Sequence, residues 1–90
     1  MNDNISDQEL EEIETRANNA SSAPWQSYVE GRDHTGGDDF VMVGEGKQRG
    51  DDMYIRRDTK PASTEDQDFI AHARQDIPRL IAEIRRLRSQ

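Results

Sequence analysis

Ile77, Leu80, Ile84 and Leu87 recur at intervals of 3, 4 and 3 residues, the a/d seam of a coiled coil, and Ile81 widens it. This is the most regular pattern in the chain, and it predicts a C-terminal helix with one apolar stripe. Two heptads are too few for an autonomous coiled coil, so the stripe must pack on something. The chain has little to spare for that purpose. Of its 28 apolar residues seven are alanine, and without these and Met1 only 20 larger apolar side chains remain in 90 residues. A chain of this length buries only about 60% of its unfolded surface even with ordinary composition. Together these features predict a homodimer or higher oligomer, with Ile77, Leu80, Ile81, Ile84 and Leu87 at the interface.

The N-terminus carries a second helix signal. Ser6 and Glu9 match the S-x-x-E capping box, and Ile5 and Leu10 stand at the positions of a hydrophobic staple. Leu10, Ile13 and Ala17 form a narrow apolar stripe, and Asn18 and Asn19 end the helix. Residues 1–19 hold Asp3, Asp7, Glu9, Glu11, Glu12 and Glu14 against Arg16 alone, a charge of −5. Residues 77–90 hold Arg79, Arg85, Arg86 and Arg88 against Glu83, a charge of +3. This complementarity predicts that the two helices are neighbours, within one subunit or across two.

Between them the pattern is that of short strands. Trp25–Glu30, Phe40–Val43 and Met53–Arg57 are extended in character and are separated by glycine-rich turns. The expected arrangement is a three-stranded antiparallel meander over 25–57. A further helix starts near Ser63 or Thr64, where Thr64 and Gln67 match a T-x-x-Q capping box. Asp76-Ile77-Pro78 reads as a new N-cap with proline in the first turn, so this helix, 63–89, is expected to be broken between 75 and 78. The fold class is therefore α+β in a single domain, 1–90: an acidic helix over 1–19, the meander, and a broken C-terminal helix.

Several function classes drop out on composition. Cysteine is absent, which excludes disulfides, thiolate metal sites and thiol catalysis. No apolar run approaches the length of a membrane span. The acidic N-terminus lacks the basic and apolar regions of a signal peptide, which points to the cytoplasm. A net charge of −7 repels a phosphate backbone and argues against nucleic acid. No metal or cofactor is called for: His34 and His72 lie 38 residues apart and make no ligand spacing, although His72 has Asp68 and Asp76 four residues away on either side. Asp38-Asp39 and Asp51-Asp52 sit in glycine-rich turns, where aspartate is ordinary turn chemistry. Gly44-x-Gly46-Lys47 lacks the rest of a phosphate loop. There is no nucleophile–base signature, so the chain reads as a non-enzyme.

Two residue types remain as binding groups. Arg56, Arg57, Arg74, Arg79, Arg85, Arg86 and Arg88 offer planar forks that match phosphate, or else a solvated face paired with acids. Trp25, Tyr28, Phe40, Tyr54 and Phe69 are either core or stacking surfaces, and Trp25, entering a strand after Pro24, is the one placed to stack on a base.

The segment from Asp68 to Arg88, DFIAHARQDIPRLIAEIRRLR, resembles the C-terminal signature of small phage and prophage accessory proteins, roughly D-x-x-F-I-A-x-A-R-x-D-[IV]-P-x-L-[IL]-x-E-[IV]-x-x-L-R. Ile13, Arg16, Ala20, Pro24 and Trp25 resemble the I-x-x-R-x-x-x-A-x-x-x-P-W stretch with which these proteins often begin. The group is similar to the phage sponge proteins that counter Thoeris immunity by binding, without cleaving, a cyclic ADP-ribose-type signal or cyclic oligonucleotides. The resemblance implies a small antiparallel sheet with terminal helices, an oligomer, action in the host cytoplasm, and a site where an aromatic stacks on a base and arginines hold phosphates. By motif position it implies Trp25, Asp68, Phe69 and Arg74 as ligand-binding residues, with Arg57 and Arg79 beside them. The expected function is sequestration of a nucleotide-type signal. The alternative is a protein-interaction module that inhibits a host protein through the C-terminal helix or an acidic surface.

Overall fold

The computed structural model describes residues 4–90; Asp3, counted among the acids of the first helix, lies outside them. The elements run α1 (Asp7–Asn19), β1 (Trp25–Tyr28), β2 (Phe40–Val43), a 3-10 turn (Gly46–Gln48), β3 (Arg56–Arg57), β4 (Lys60–Pro61) and α2 (Thr64–Arg88). The class is α+β, with two helices and short antiparallel strand pairs.

Ser6 caps α1 as its spacing from Glu9 requires: the Glu9 N–H donates to Ser6 Oγ at 3.0 Å. Leu10 is the buried anchor of α1, at 1% exposure. At α2 the cap is Ser63 rather than Thr64, because Ser63 Oγ accepts the Asp66 N–H at 3.1 Å. This one-residue shift releases Gln67 from any capping role and turns it into the interior.

The expected three-stranded meander does not form. β1 and β2 pair antiparallel, with Trp25 opposite Val43 and Tyr28 opposite Phe40. Met53 joins them only through a single bridge to Val41, whose N–H and carbonyl bond Met53 at 2.8 and 2.9 Å. The chain then turns away, and Arg56–Arg57 pair instead with Lys60–Pro61 as a separate two-stranded sheet. Local sequence explains the preference. Asp58 takes a left-handed φ of 54° and closes a tight turn that brings Lys60 back onto Arg57.

Nor does α2 break at Pro78. The helix is continuous from Thr64 to Arg88 with proline inside it. Proline deprives the Arg74 carbonyl of its intrahelical donor, but α2 is tied to β1 before Pro78 through Gln67 and Gln75, and α1 runs along it on both sides, beside Ile70, Ala73 and Ile77 before the proline and paired to Arg85 and Arg88 after it. Those contacts hold both halves on one axis.

The core lies where α2 crosses the hairpin. Val41, Val43 and Ala71 are buried together, with Trp25, Met53 and Ile55 packed around them. Alanine at position 71 lets the helix approach closely, and two glutamines flank it at one-turn spacing. Gln67, only 2% exposed, donates through Nε2 toward Ser27 Oγ (2.9 Å) and the carbonyls of Tyr28 and Phe40 (both 3.2 Å). Gln75 accepts the Trp25 N–H at 2.7 Å and donates to the Trp25 carbonyl at 3.1 Å. The two amides thus satisfy sheet groups that a helix cannot otherwise reach.

α1 lies along the C-terminal part of α2, within the same chain, as the opposite charges predict. Arg85 pairs with Glu14 and Arg88 with Asp7, each at 2.7 Å. Gly44 supplies the turn out of β2. Its φ is +72°, and a Cβ there would stand 2.2 Å from the Gln48 carbonyl oxygen.

Candidate functional site

Between the outer edge of β1 and the first turns of α2 runs an open groove of about 540 Å³, lined by Trp25, Gln26, Ser27, Tyr28, Arg32, Asp33, Asp68, His72 and Gln75. β1 supplies one wall along its open edge, which leaves all four of its residues, Trp25 to Tyr28, on the groove. α2 supplies the other because Asp68, His72 and Gln75 follow at intervals of four and three, on one face of the helix. The long β1–β2 connection closes the end. Its shape comes from Val29, whose carbonyl accepts the N–H groups of Arg32 and Asp33 (3.0 and 2.8 Å) and whose own N–H donates to the Asp33 carboxylate at 2.9 Å.

Arg32 is the electrostatic centre of the groove. Its two terminal nitrogens bind both oxygens of Asp68, at 2.8 and 3.0 Å, and its Nε binds Asp33 at 2.9 Å. This is a bidentate fork plus a third contact. Arg32, and then the Ser27 hydroxyl, hold the Asp68 carboxyl down at about 2, from an ordinary 3.8. The Val29 N–H first, and then Arg32, lower Asp33 as well. Asp68 and Asp33 in turn raise the guanidinium pKa further. All three groups are therefore charged at neutral pH, and the cluster has a net charge of −1. The Trp25 ring is fixed by its Nε1–H, which donates to the Ser21 carbonyl at 3.2 Å.

Of the six ligand-binding residues named from the sequence, two meet here: Trp25 and Asp68 line the same groove. The others are elsewhere. Arg74 lies across Trp25 in an apolar cleft of about 260 Å³ between α1 and α2, and its Nε donates to the Ser21 carbonyl at 2.8 Å. Arg57 pairs with Asp66 at 3.7 Å. Arg79 shares a shallow surface with Asp76, Leu80 and Glu83. Phe69 points outward, 75% exposed. Among the interface residues, Ile81 is buried within the chain and Ile84 is half-buried, while Leu80 and Leu87 remain 59% and 54% exposed.

Arg32 is the groove residue that sequence reasoning missed. It sits in a glycine-bounded loop with no periodicity, and its partner Asp68 lies 36 residues away. Only the four-residue spacing of Asp68 and His72 signalled a shared helix face. Among the described residues no group of three or more His, Cys, Asp or Glu could hold a metal ion, and no helix is long and apolar enough to cross a membrane. Comparison with family models, curated proteins and solved structures finds no match for this chain.

Proposed function

We propose that the protein is a non-enzymatic binding module that takes a nucleotide-type small molecule into the Trp25 groove and sequesters it, acting on a host signal of the cyclic ADP-ribose or cyclic oligonucleotide kind. The observation that carries the reading is the meeting of Trp25 and Asp68, 43 residues apart in the chain, on one groove with Arg32. The Trp25 face takes a base by stacking. Asp68, ionised at neutral pH, accepts from a ring N–H or exocyclic amine of that base, and the amides of Gln26 and Gln75 offer further edges. The Arg32 fork, 45% exposed, exchanges a carboxylate for a phosphate oxygen. The net charge of −1 favours a ligand with few phosphates over a polyphosphate.

The test is calorimetry of the purified protein with cyclic ADP-ribose isomers and cyclic dinucleotides, followed by heating and analysis of what is released. Intact ligand, with binding lost in Trp25→Ala and Arg32→Ala, is the expected result. Altered ligand identifies an enzyme, and absence of binding to the whole panel removes the reading. A second reading, capture of another polypeptide on α2, is favoured by the exposure of Phe69, Leu80 and Leu87.

A further inference from the structure

Phe69, Leu80 and Leu87 are 75%, 59% and 54% exposed, although the chain is poor in large apolar groups. At about 100° per residue they fall within about 20° of one another around the helix axis. They therefore form one straight stripe along α2, facing away from the buried side occupied by Gln67, Ala71 and Ile81. α1 does not cover it: its ion pairs engage Arg85 and Arg88 on another side of α2, and Phe69, Leu80 and Leu87 stay exposed beside it.

Charge along the same helix is polarised. Residues 64–76 carry Glu65, Asp66, Asp68 and Asp76 against Arg74, a charge of −3, and residues 77–90 carry +3. A parallel neighbour would set like charge on like. An antiparallel copy of the same helix sets each half against its opposite.

We propose that α2 is a self-association surface, pairing antiparallel with α2 of a second copy across a two-fold axis at Ile77–Pro78. This register places Phe69 beside Leu87 of the second copy, at both ends of the interface by symmetry, with Leu80 near the axis. It also sets Asp76 opposite Arg79 and His72 opposite Glu83, on the flank of the stripe where same-side positions meet in antiparallel helices. The Asp76 side chain makes no hydrogen bond or ion pair among the described residues, so the pairing supplies its first partner. The interface is isologous and closes at two copies. It rests on α2 alone and stands whether or not the groove binds a nucleotide.

Size-exclusion chromatography with light scattering on the full chain tests this. The wild type is expected to run as a dimer, and Leu80→Glu as a monomer with an unchanged circular dichroism spectrum. Asp76→Arg and Arg79→Asp are each expected to weaken the dimer about tenfold by setting like charges together. Mixing those two variants restores association, because each then faces its opposite. A wild-type monomer at hundreds of micromolar, a dimer indifferent to Leu80→Glu, or a mixture no tighter than its components overturns the proposal.

Discussion

Gln75 binds Trp25 twice, accepting its backbone N–H at 2.7 Å and donating to its carbonyl at 3.1 Å. A helix side chain thereby acts as a short neighbouring strand, and it fixes where the groove's aromatic residue stands. Gln67, two turns earlier on the helix, only donates, toward the Tyr28 and Phe40 carbonyls and the Ser27 hydroxyl. Gln67→Leu keeps the bulk but removes the amide that links Ser27, Tyr28 and Phe40 to α2, and is expected to lower stability by about 0.5–1.5 kcal/mol in urea unfolding. A change within about 0.3 kcal/mol, inside the range of ordinary surface substitutions, would mean that the amide does not clamp the sheet.

The Arg32–Asp68 pair predicts a pH dependence. Folding lowers the Asp68 pKa, so its contribution is fully present above the ordinary 3.8 and is lost as pH falls toward about 2. Asp33 shifts in the same direction. Unfolding midpoints are therefore expected to decline through that acid window. Asp68→Asn should reduce stability at neutral pH and flatten the decline, and a variant with the wild-type slope would disprove the assignment. The effect is modest because both side chains are partly solvent-exposed.

Two kinds of contact hold α1 on α2, and they differ in weight. Glu14–Arg85 and Asp7–Arg88 are exposed pairs, expected to contribute about 0–1 kcal/mol each. Leu10 is buried, and Leu10→Ala is expected to cost about 2–5 kcal/mol through transfer and cavity terms. Denaturation of Leu10→Ala beside Glu14→Gln separates the two, and near-equal losses would reverse the ranking.

At Gly44 both backbone conformation and space demand glycine. A Cβ would stand 2.2 Å from the Gln48 carbonyl oxygen, on a residue with φ of +72°. Gly44→Ala is expected to destabilise by about 1–3 kcal/mol and to loosen the 3-10 turn that follows. Gly31→Ala, where a Cβ meets nothing within 4 Å, should suffer only the positive φ and cost less. Thermal melts of the two variants give the comparison, and equal losses would remove the steric argument.

Local signals in the chain sufficed for both helices, the Ser6 cap, β2, and the attraction of an acidic α1 for a basic α2 end, because each depends on spacing over a few residues or on net charge. They misjudged Pro78, Thr64 and the third strand. Pro78 stays helical because packing on both sides of it outweighs a missing hydrogen bond. The one-residue difference between Ser63 and Thr64 decided whether Gln67 caps a helix or clamps a sheet. The third strand was lost to a tight turn at Asp58. The groove was half legible: Trp25 and Asp68 were singled out from the sequence and line it together, whereas Arg32 entered only because a long loop sets it against α2, 36 residues away in the chain. Such a contact leaves no periodic trace, since its energy depends on where a loop ends in space and not on its neighbours in the chain.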